Sequence, residues 1–258
     1  MGTLFANLVP GAIVPPAVGT AVCTRAEWLD ACAGQPAASV DLVYADPPFN
    51  TGVTRRGAAG TYADSFGSLD EYDAWLRPRL QATHRLLRPT GAIMIHVDWR
   101  TSHRVRVLLD QVFGEACFVN HLVWSYGLGG SSPRRFARKH DDILYYSREP
   151  DGHYFEPPRV PATSARLRGQ SKKATDVLDV PSINNMAHER VGYPTQKPMA
   201  LLRMLVGAAC PPGGTVFDPC CGSGTSIIAA MTTGRVGIGS DASAEAVKVA
   251  TGRIEAGA

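Results

Sequence analysis

Residues 216–225 read VFDPCCGSGT, and this stretch is the strongest indication of the fold. A short apolar run ends at Asp218, a glycine-rich bend follows at residues 222–224, and a helical pattern begins near Thr225. A strand, a glycine turn and a helix in this order predict a parallel α/β unit. Its backbone N–H groups and helix N-terminus would face a ligand. Alone the pattern is weak, because tight packing also requires glycines.

A carboxylate follows this unit at the end of the next apolar run. Residues 237–241 read GIGSD, so Asp241 ends a predicted strand. In nucleotide-type sites, an acid roughly 20 residues after the glycines accepts hydrogen bonds from ribose hydroxyls. Asp241 is therefore a candidate for that contact.

A second stretch, YADPPFN at residues 44–50, follows another apolar run at residues 40–44. Proline lacks an N–H and favours extended geometry in the residue before it, so Asp46-Pro47-Pro48 cannot continue a helix. One interpretation is a plain turn that ends a strand. The other is a rigid loop that presents Asp46 and backbone carbonyls to a ligand.

The rest of the chain alternates strand and helix patterns. The apolar spacing predicts a helix at residues 69–87, which Pro78 should kink or divide, and a turn at residues 88–91. Alternation of strands and helices predicts one doubly wound, mainly parallel α/β domain. The other predicted strands cover residues 92–97, 121–126, 143–147, 215–217 and 236–239, and the other predicted helices cover residues 101–113, 199–209 and 225–232.

Composition excludes several classes of protein. The 258 residues are 45% hydrophobic and 19% charged, with a formal net charge of +3, which is typical of a folded domain and permits a polyanionic partner. No apolar run reaches the ~18 residues of a membrane span, and no signal peptide is recognised. The cysteines show no zinc-type spacing, so we expect no metal, reduced thiols and a cytoplasmic location. They are Cys23, Cys32, Cys117, Cys210, Cys220 and Cys221.

Taken together, VYADPPFN, FDPCCGSGT and the sequence TQKP at residues 195–198 resemble the amino-methylating DNA methyltransferases that use S-adenosylmethionine. The order of these motifs resembles the beta class, and the similarity runs from about residue 40 to residue 241. The resemblance implies a Rossmann-like class I methyltransferase fold, an S-adenosylmethionine cofactor and a double-stranded DNA substrate.

The same resemblance implies roles for individual residues. The catalytic motif would be Asp46, Pro47, Pro48 and Phe49. The cofactor-binding residues would be Asp218, Cys220, Gly222, Ser223, Gly224, Thr225, Asp241, Thr195 and Lys197. Two questions stay open: Lys197 could face the cofactor carboxylate or the nucleic acid, and residues 195–198 also fit the start of a helix. The chain departs from the family at Cys220, where relatives often carry an aromatic residue, and at residues 21–24, where relatives commonly carry Gly-Asp.

The chemistry explains why an acid would precede two prolines. An exocyclic amine of a base is a poor nucleophile, because its lone pair is delocalised into the ring. If the Asp46 carboxylate and the Pro47 carbonyl accept its two hydrogens, the lone pair can face an activated methyl group. Phe49 would stack on the extruded base, and Asn50 would hold the loop or contact the base. The Pro219-Cys220 pair lies in the glycine turn, so we assign it to cofactor binding or packing rather than to a cysteine nucleophile.

Two basic segments, residues 131–140 and 166–173, are candidates for phosphate contacts or for plain solvated surface. The candidate DNA-binding residues are Asn50, Arg134, Arg135, Arg138, Lys139, Arg166, Arg168, Lys172 and Lys173. Residues 149–192 lose the strand–helix rhythm, so we expect a small target-recognition insertion there. It would separate a catalytic half at residues 1–148 from a cofactor-binding half at residues 193–258.

The sequence thus predicts a site-specific DNA methyltransferase that acts on adenine N6, because Asp-Pro-Pro-Phe resembles the adenine enzymes. Cytosine N4 is the alternative acceptor, and an RNA base or a protein amide is a more distant one. A different class of protein, a DNA-binding module that has lost catalysis, is also a more distant alternative. A small recognition region predicts a homodimer, and a cognate restriction endonuclease is a possible partner.

Overall fold

The computed structural model describes residues 19–57, 60–127, 131–162, 166, 168–184 and 187–257, with only the backbone at 54–57 and 60–63. The strands are β1 (Ala21–Arg25), β2 (Val40–Ala45), β3 (Val53–Gly57), β4 (Gly60–Asp64), β5 (Leu87–Val97), β6 (Phe118–Ser125), β7 (His140–Ser147), β8 (Arg159–Pro161), β9 (Ser171–Lys173), β10 (Val177–Asp179), β11 (Thr215–Asp218) and β12 (Val236–Asp241). The α-helices are α1 (Trp28–Ala33), α2 (Leu69–Leu86), α3 (Ser102–Phe113), α4 (Met199–Ala209), α5 (Thr225–Thr232) and α6 (Ala244–Glu255).

The main sheet has the order β1-β12-β11-β2-β5-β7-β6-β10. The first five of these strands are mutually parallel, and β7 runs antiparallel to β5 and β6. β10 joins the edge of the sheet parallel to β6. The prediction of a doubly wound, mainly parallel α/β domain is confirmed.

The central strands of this sheet are buried on both faces. In β2, successive side chains alternate between the faces: Val43 and Ala45 belong to one core cluster, and Leu42 and Tyr44 to the other. The first cluster includes residues of α1, α2 and α3, and the second includes residues of α4 and α5. Helices on both faces explain why the strands read as apolar runs rather than as alternating patterns.

The position of the site follows from where the connections change direction. β11 and β2 are parallel neighbours, with Phe217 opposite Val43. The chain leaves β11 through α5 toward β12, on one side, and leaves β2 through α2 toward β5, on the other. Ligands bind in the crevice that such a switch opens at the carboxyl ends of the strands. Asp46 and Asp218 both lie at that end.

Two local predictions are corrected. Residues 88–91 do not form a turn but belong to β5, which begins at Leu87; the register against β2 shifts between Val40 and Leu42, so this part of the strand is irregular. Pro78 does not divide its helix, because α2 is continuous from Leu69 to Leu86. Fully buried side chains on both sides of the proline, including Tyr72 and Leu80, hold α2 against the core.

The structure adds elements that the sequence patterns did not predict: α1, α6 and the β3–β4 hairpin. Residues 149–192 contain the β8–β9 hairpin and β10. At the start of this segment, Tyr154 and Glu156 donate backbone hydrogen bonds to the carbonyls of Thr90, near the start of β5, and Ala208, near the end of α4. These contacts lie at the amino ends of the strands, away from the crevice. No helix in the described ranges is long and apolar enough to cross a membrane.

Candidate active site

A cavity of about 610 Å³ opens at the carboxyl ends of β2 and β11. It joins the Asp-Pro-Pro-Phe loop, the glycine turn after β11 and the segment before α4. The predicted site residues that line it are Asp46, Pro47, Pro48, Phe49, Thr195, Lys197, Asp218, Cys220, Gly222, Ser223, Thr225, Asp241 and Arg138. Three stretches that are far apart in sequence therefore share one cavity.

Asp46 forms an ion pair inside this cavity. Lys197 Nζ lies 3.1 Å from Asp46 Oδ1, and both side chains are largely buried. The contact does not have hydrogen-bond geometry, and within the described part of the chain no other donor reaches that oxygen. Lys197 had two predicted partners, the cofactor carboxylate and the nucleic acid. Here its ammonium group contacts the carboxylate of the catalytic motif.

His96, at the end of β5, is fully buried behind this pair. Its Nδ1 lies 2.9 Å from the Tyr44 hydroxyl, its Nε2 lies 3.2 Å from Asp141 Oδ2, and Lys197 Nζ lies 3.5 Å from Nε2. Because a carboxylate can only accept, the arrangement fits the tautomer that carries its proton on Nε2 and accepts from Tyr44 at Nδ1. The imidazole thus joins three strands behind the catalytic loop.

The pKa of Asp141 reflects this network. Burial alone would raise it, but the hydrogen bond from His96 and the positive charge of Lys197 outweigh burial and hold the pKa below its ordinary value. Asp141 therefore stays ionised, and its charge stabilises the nearby Lys197 ammonium.

Asp241 and the glycine turn are joined directly. The Asp241 carboxylate accepts from the backbone N–H of Gly222 at 2.9 Å and of Ser243 at 2.9 Å. Gly222 has a positive φ of 52°, and a Cβ there would lie 3.1 Å from the Tyr193 ring. A side chain at 222 would press on the Tyr193 ring and would need a backbone conformation that other residues rarely adopt, and together these explain the glycine.

The other end of the turn is fixed by packing rather than turned toward the cavity. Gly224 has φ +78°, and a Cβ there would lie 2.9 Å from Ala250 Cβ in α6. The buried Arg253 side chain donates to the Ser223 carbonyl at 2.7 Å and to Thr225 Oγ1 at 3.0 Å. Of the predicted cofactor contacts, Gly224 therefore serves the close approach of α6.

Asp218 is buried at the end of β11. It accepts hydrogen bonds from the Ser226 hydroxyl and from the Cys220 backbone N–H. Its pKa is raised to about 7, chiefly by burial; the two hydrogen bonds act to lower the pKa, and the nearby Asp46 and Asp241 charges act to raise it. A cation bound beside Asp218 would stabilise the ionised form of this carboxyl group.

Phe49 and Asn50 occupy different environments. The Phe49 ring lines the cavity and stacks on His96, with ring centroids 5.9 Å apart. Asn50 has φ +55°, its N–H donates to Asp64 Oδ1 at 2.6 Å, and its side-chain oxygen accepts from Phe66 N–H at 2.8 Å. Of the two predicted roles for Asn50, the described contacts are those of a residue that holds the loop.

The cysteines of the glycine turn both have raised pKa values. Burial raises the pKa of Cys220, and the Cys221 pKa is also raised, by its contact with Cys23 and by burial. The two sulfur atoms of Cys23 and Cys221 lie 3.5 Å apart. A thiol with a raised pKa is a poor nucleophile at neutral pH.

The predicted DNA-binding residues fall into two groups. Arg138 lines the cavity, with its guanidinium 3.3 Å from the centre of the Trp99 ring, and Lys139 Nζ donates to Gly127 O at 3.1 Å. Arg134 and Arg135 are exposed in the same loop. The second group lies away from the cavity lining, on and beside the β8–β9 hairpin. It consists of Arg166, Arg168, Lys172 and Lys173.

Sequence reasoning missed several cavity residues. His96 lies in a predicted strand, where a histidine within an apolar run could have signalled a buried polar site. Asp141 directly follows the basic segment at residues 131–140, whose charges indicated phosphate contacts. Asp64 lies at the end of the unpredicted β3–β4 hairpin, and the wall of Trp28 and Trp75 comes from α2 and the unpredicted α1.

A doubly wound parallel sheet, with an acidic glycine turn at its switch point and an Asp-Pro-Pro-Phe loop in the same cavity, defines a Rossmann-like class I methyltransferase. The family model described as DNA methylase, for N6 and N4 amino methyltransferases, matches residues 40–252. The chain therefore belongs to this family, and its activity is the S-adenosylmethionine-dependent methylation of an amino group in DNA.

Individual relatives are moderately similar. The chain is 27% identical to the type II methyltransferase M.ScaI of Streptomyces caespitosus over 236 residues, which cover 84% of this chain and 75% of M.ScaI. It is 26% identical to the DNA adenine methyltransferase YhdJ of Escherichia coli K12, over 85% of this chain and 78% of YhdJ. The solved PvuII cytosine-N4-specific DNA methyltransferase superposes with a TM-score of 0.67 at 15% identity, over 92% of this chain and 88% of that one. That structural likeness concerns the fold.

Proposed function

We propose that this methyltransferase acts on the exocyclic N6 amino group of adenine within a specific sequence of double-stranded DNA. The observation that carries the proposal is that Asp46 lines one cavity together with residues 218–223 and Thr225 of the glycine turn. Acceptor and methyl donor can therefore meet without a large movement of the domain.

The catalytic loop supplies two acceptors for one NH₂ group. The Asp46 carboxylate, oriented by Lys197, accepts one N–H, and the Pro47 carbonyl accepts the other. Both hydrogen bonds withdraw the amine hydrogens from the plane of the base, so the nitrogen becomes more tetrahedral and its lone pair is free to react. Proline fixes φ near −65°, so the carbonyls are presented without a conformational search.

The reaction is a direct displacement. The nitrogen lone pair forms the new N–C bond, and the electrons of the C–S bond go to sulfur. The nitrogen then carries a positive charge and loses one proton, for which the Asp46 carboxylate is the nearest base in the loop. The products are the methylated amine, a neutral thioether and a proton, so no cysteine adduct is required.

The cavity fits S-adenosylmethionine, which supplies a methyl group activated by a sulfonium. Its volume is in the range of ligand sites. The carboxylates of Asp46, Asp218 and Asp241 suit a ligand with a sulfonium and an ammonium group. We propose that Asp218 binds the ammonium, that Asp241 binds the ribose hydroxyls, and that Thr195, Ser223 and Thr225 line the pocket beside them.

The acceptor base must leave the duplex to reach this cavity. Extrusion costs a few kcal/mol, and stacking on an aromatic face returns ~1–3 kcal/mol. We propose that Phe49, supported by His96, provides that face. The basic residues of 131–139 and of the β8–β9 hairpin would neutralise phosphates, and residues 149–192 would contribute to target recognition.

Adenine is preferred over cytosine on two grounds. Asp-Pro-Pro-Phe resembles the adenine enzymes, and the sequence relative YhdJ is described as a DNA adenine methyltransferase. Cytosine N4 presents the same hydrogen-bonding problem and is the second candidate, in line with the fold shared with the PvuII enzyme. We also propose a homodimer in solution, which sedimentation velocity would test.

Nucleoside analysis separates these candidates. Genomic DNA from a host that lacks adenine and cytosine-N4 methylation is incubated with the purified protein and labelled S-adenosylmethionine, then digested and analysed by mass spectrometry. N6-methyldeoxyadenosine is the expected product, and N4-methyldeoxycytidine would support the alternative. Label in neither nucleoside would contradict the proposal, and sequencing of the modified positions gives the recognition sequence.

A further inference from the structure

The loop between β6 and β7 carries an unusual aromatic residue. Phe136 is 97% exposed, more than any other large hydrophobic side chain among the described residues. Single exposed apolar residues are common, so exposure alone decides nothing. What surrounds Phe136 makes it informative.

Four cations flank this ring in sequence: Arg134, Arg135, Arg138 and Lys139. We call residues 131–139 the arginine loop. Its nearest apolar neighbours within the loop are Pro133 and Ala137, so the ring is presented by a strongly basic segment. Such a surface suits a polyanion, and an unpacked aromatic ring in its centre suits a partner that contains stacked bases.

The arginine loop is anchored at the mouth of the active-site cavity. Tyr126 N–H donates to the Lys139 carbonyl at 3.2 Å, and Lys139 Nζ donates to Gly127 O at 3.1 Å. Arg138 stacks on Trp99 with 3.3 Å between the guanidinium carbon and the ring centre. Arg138, Trp99 and Tyr126 all line the cavity, and Phe136 lies two residues before Arg138 in the same loop.

We propose that Phe136 inserts into the DNA stack and fills the space that the target base leaves when it enters the cavity. The proposal rests on the proposed function, since it assigns a positioning residue to the same reaction. Apolar side chains that enter between base steps stabilise unstacked DNA, while flanking Arg and Lys bind the phosphates on either side. Phe49 would then stack on the extruded base, and Phe136 would replace it in the helix.

The test uses two duplexes that differ at one position. Both carry the recognised sequence; one is fully paired, and the other has an abasic site opposite the target base. Extrusion of the target base from the abasic duplex requires less free energy, because no base pair must be broken. On the paired duplex, F136A should methylate about tenfold more slowly than wild type, and on the abasic duplex within about twofold. F136W, which keeps an aromatic ring, should retain most of the rate on both.

A direct readout of extrusion accompanies the rates. With 2-aminopurine in the target position and S-adenosylhomocysteine as the cofactor product, binding of the wild-type protein should increase the fluorescence as the base leaves the stack. F136A should bind the paired duplex but give a clearly smaller increase. A merely structural role for Phe136 would not produce a deficit that an abasic partner repairs.

Two controls isolate the role of the ring. Val107 is 53% exposed on α3 and does not line the cavity, so V107A should match wild type on both duplexes. The double variant R134Q/R135Q should weaken DNA binding and reduce the slope of log K against log salt by up to about 2.

The outcomes distinguish this inference from the proposed function. If the wild-type protein methylates DNA and F136A is equally slow on both duplexes, or is not slow at all, the insertion of Phe136 into the DNA stack is ruled out. The proposed function then still stands. If the wild-type protein methylates no DNA, the proposed function fails, and the proposed insertion of Phe136 fails with it.

Discussion

The ammonium nitrogen of Lys197 lies 3.1 Å from Asp46 Oδ1, so a residue of the TQKP stretch is the ionic partner of the catalytic carboxylate. The two residues are more than 150 positions apart in sequence. Lys197 Nζ also lies 3.5 Å from His96 Nε2, and the negative charge of Asp141 acts on the same ammonium group. We infer that Lys197 orients Asp46 so that its carboxylate can accept a hydrogen from the amine.

Replacing Lys197 tests this arrangement. K197M should lower kcat for methyl transfer by roughly 10- to 100-fold, because a buried carboxylate that loses its partner no longer keeps its orientation. The dissociation constant of S-adenosylmethionine, measured by calorimetry, should stay within about threefold. The matched control K248M removes an exposed lysine of α6 and should leave both quantities unchanged. A large loss of cofactor affinity with little change in kcat would assign Lys197 to the cofactor instead.

The raised pKa of Asp218 makes stability depend on pH. The pKa is about 7 in the folded protein against an ordinary value of 3.8, chiefly because of burial. Between about pH 4 and pH 7 the folded state keeps a proton that the unfolded chain has released. The free energy of unfolding therefore falls as pH rises through this window, by an amount on the order of a few kcal/mol.

Urea denaturation without cofactor measures this effect. The difference in unfolding free energy between pH 4.5 and pH 7.5 should be smaller in D218N than in wild type, since the amide does not titrate. The comparison of the two proteins cancels the groups that they share. Equal pH dependence in both would contradict the assignment of a raised pKa to Asp218.

Cys220 should be dispensable for chemistry. Its pKa is raised by burial, and the displacement requires no covalent adduct with the base. C220A should retain methyl transfer within about threefold, as measured by labelled methyl incorporation, with C210A as a control for loss of another buried thiol. Complete loss of activity in C220A with the fold intact would point to a cysteine nucleophile and against an amino acceptor.

The strands and helices of the α/β fold could be predicted from the sequence because burial leaves a clear pattern. Strands buried on both faces read as apolar runs, and the glycine turn fixed the direction of the chain between β11 and α5. In the structure, Asp46 and Asp218 follow or end the parallel neighbours β2 and β11, at the carboxyl ends of these strands. The helices α4 and α5 agree with the prediction to the residue, because an N-terminal proline or glycine marks where each begins.

Long-range contacts were not predictable in the same way. The pairing of Lys197 with Asp46 depends on how the segment before α4 packs, which no local pattern records. The β3–β4 hairpin lacks a clear alternation, so the sequence did not show that Asp64 returns to hold Asn50. Residues 88–91 contain a proline and a glycine, yet they continue β5 because the irregular pairing with β2 accommodates them.

The D46A variant shows whether the Asp46 carboxylate engages the amine during methyl transfer. The purified variant is compared with wild type for methyl incorporation into DNA and for DNA binding, with D70A as a control for loss of an exposed aspartate. We predict that D46A loses at least about 100-fold in methyl incorporation while DNA affinity is retained. Methyl incorporation by D46A at the wild-type rate would contradict the account.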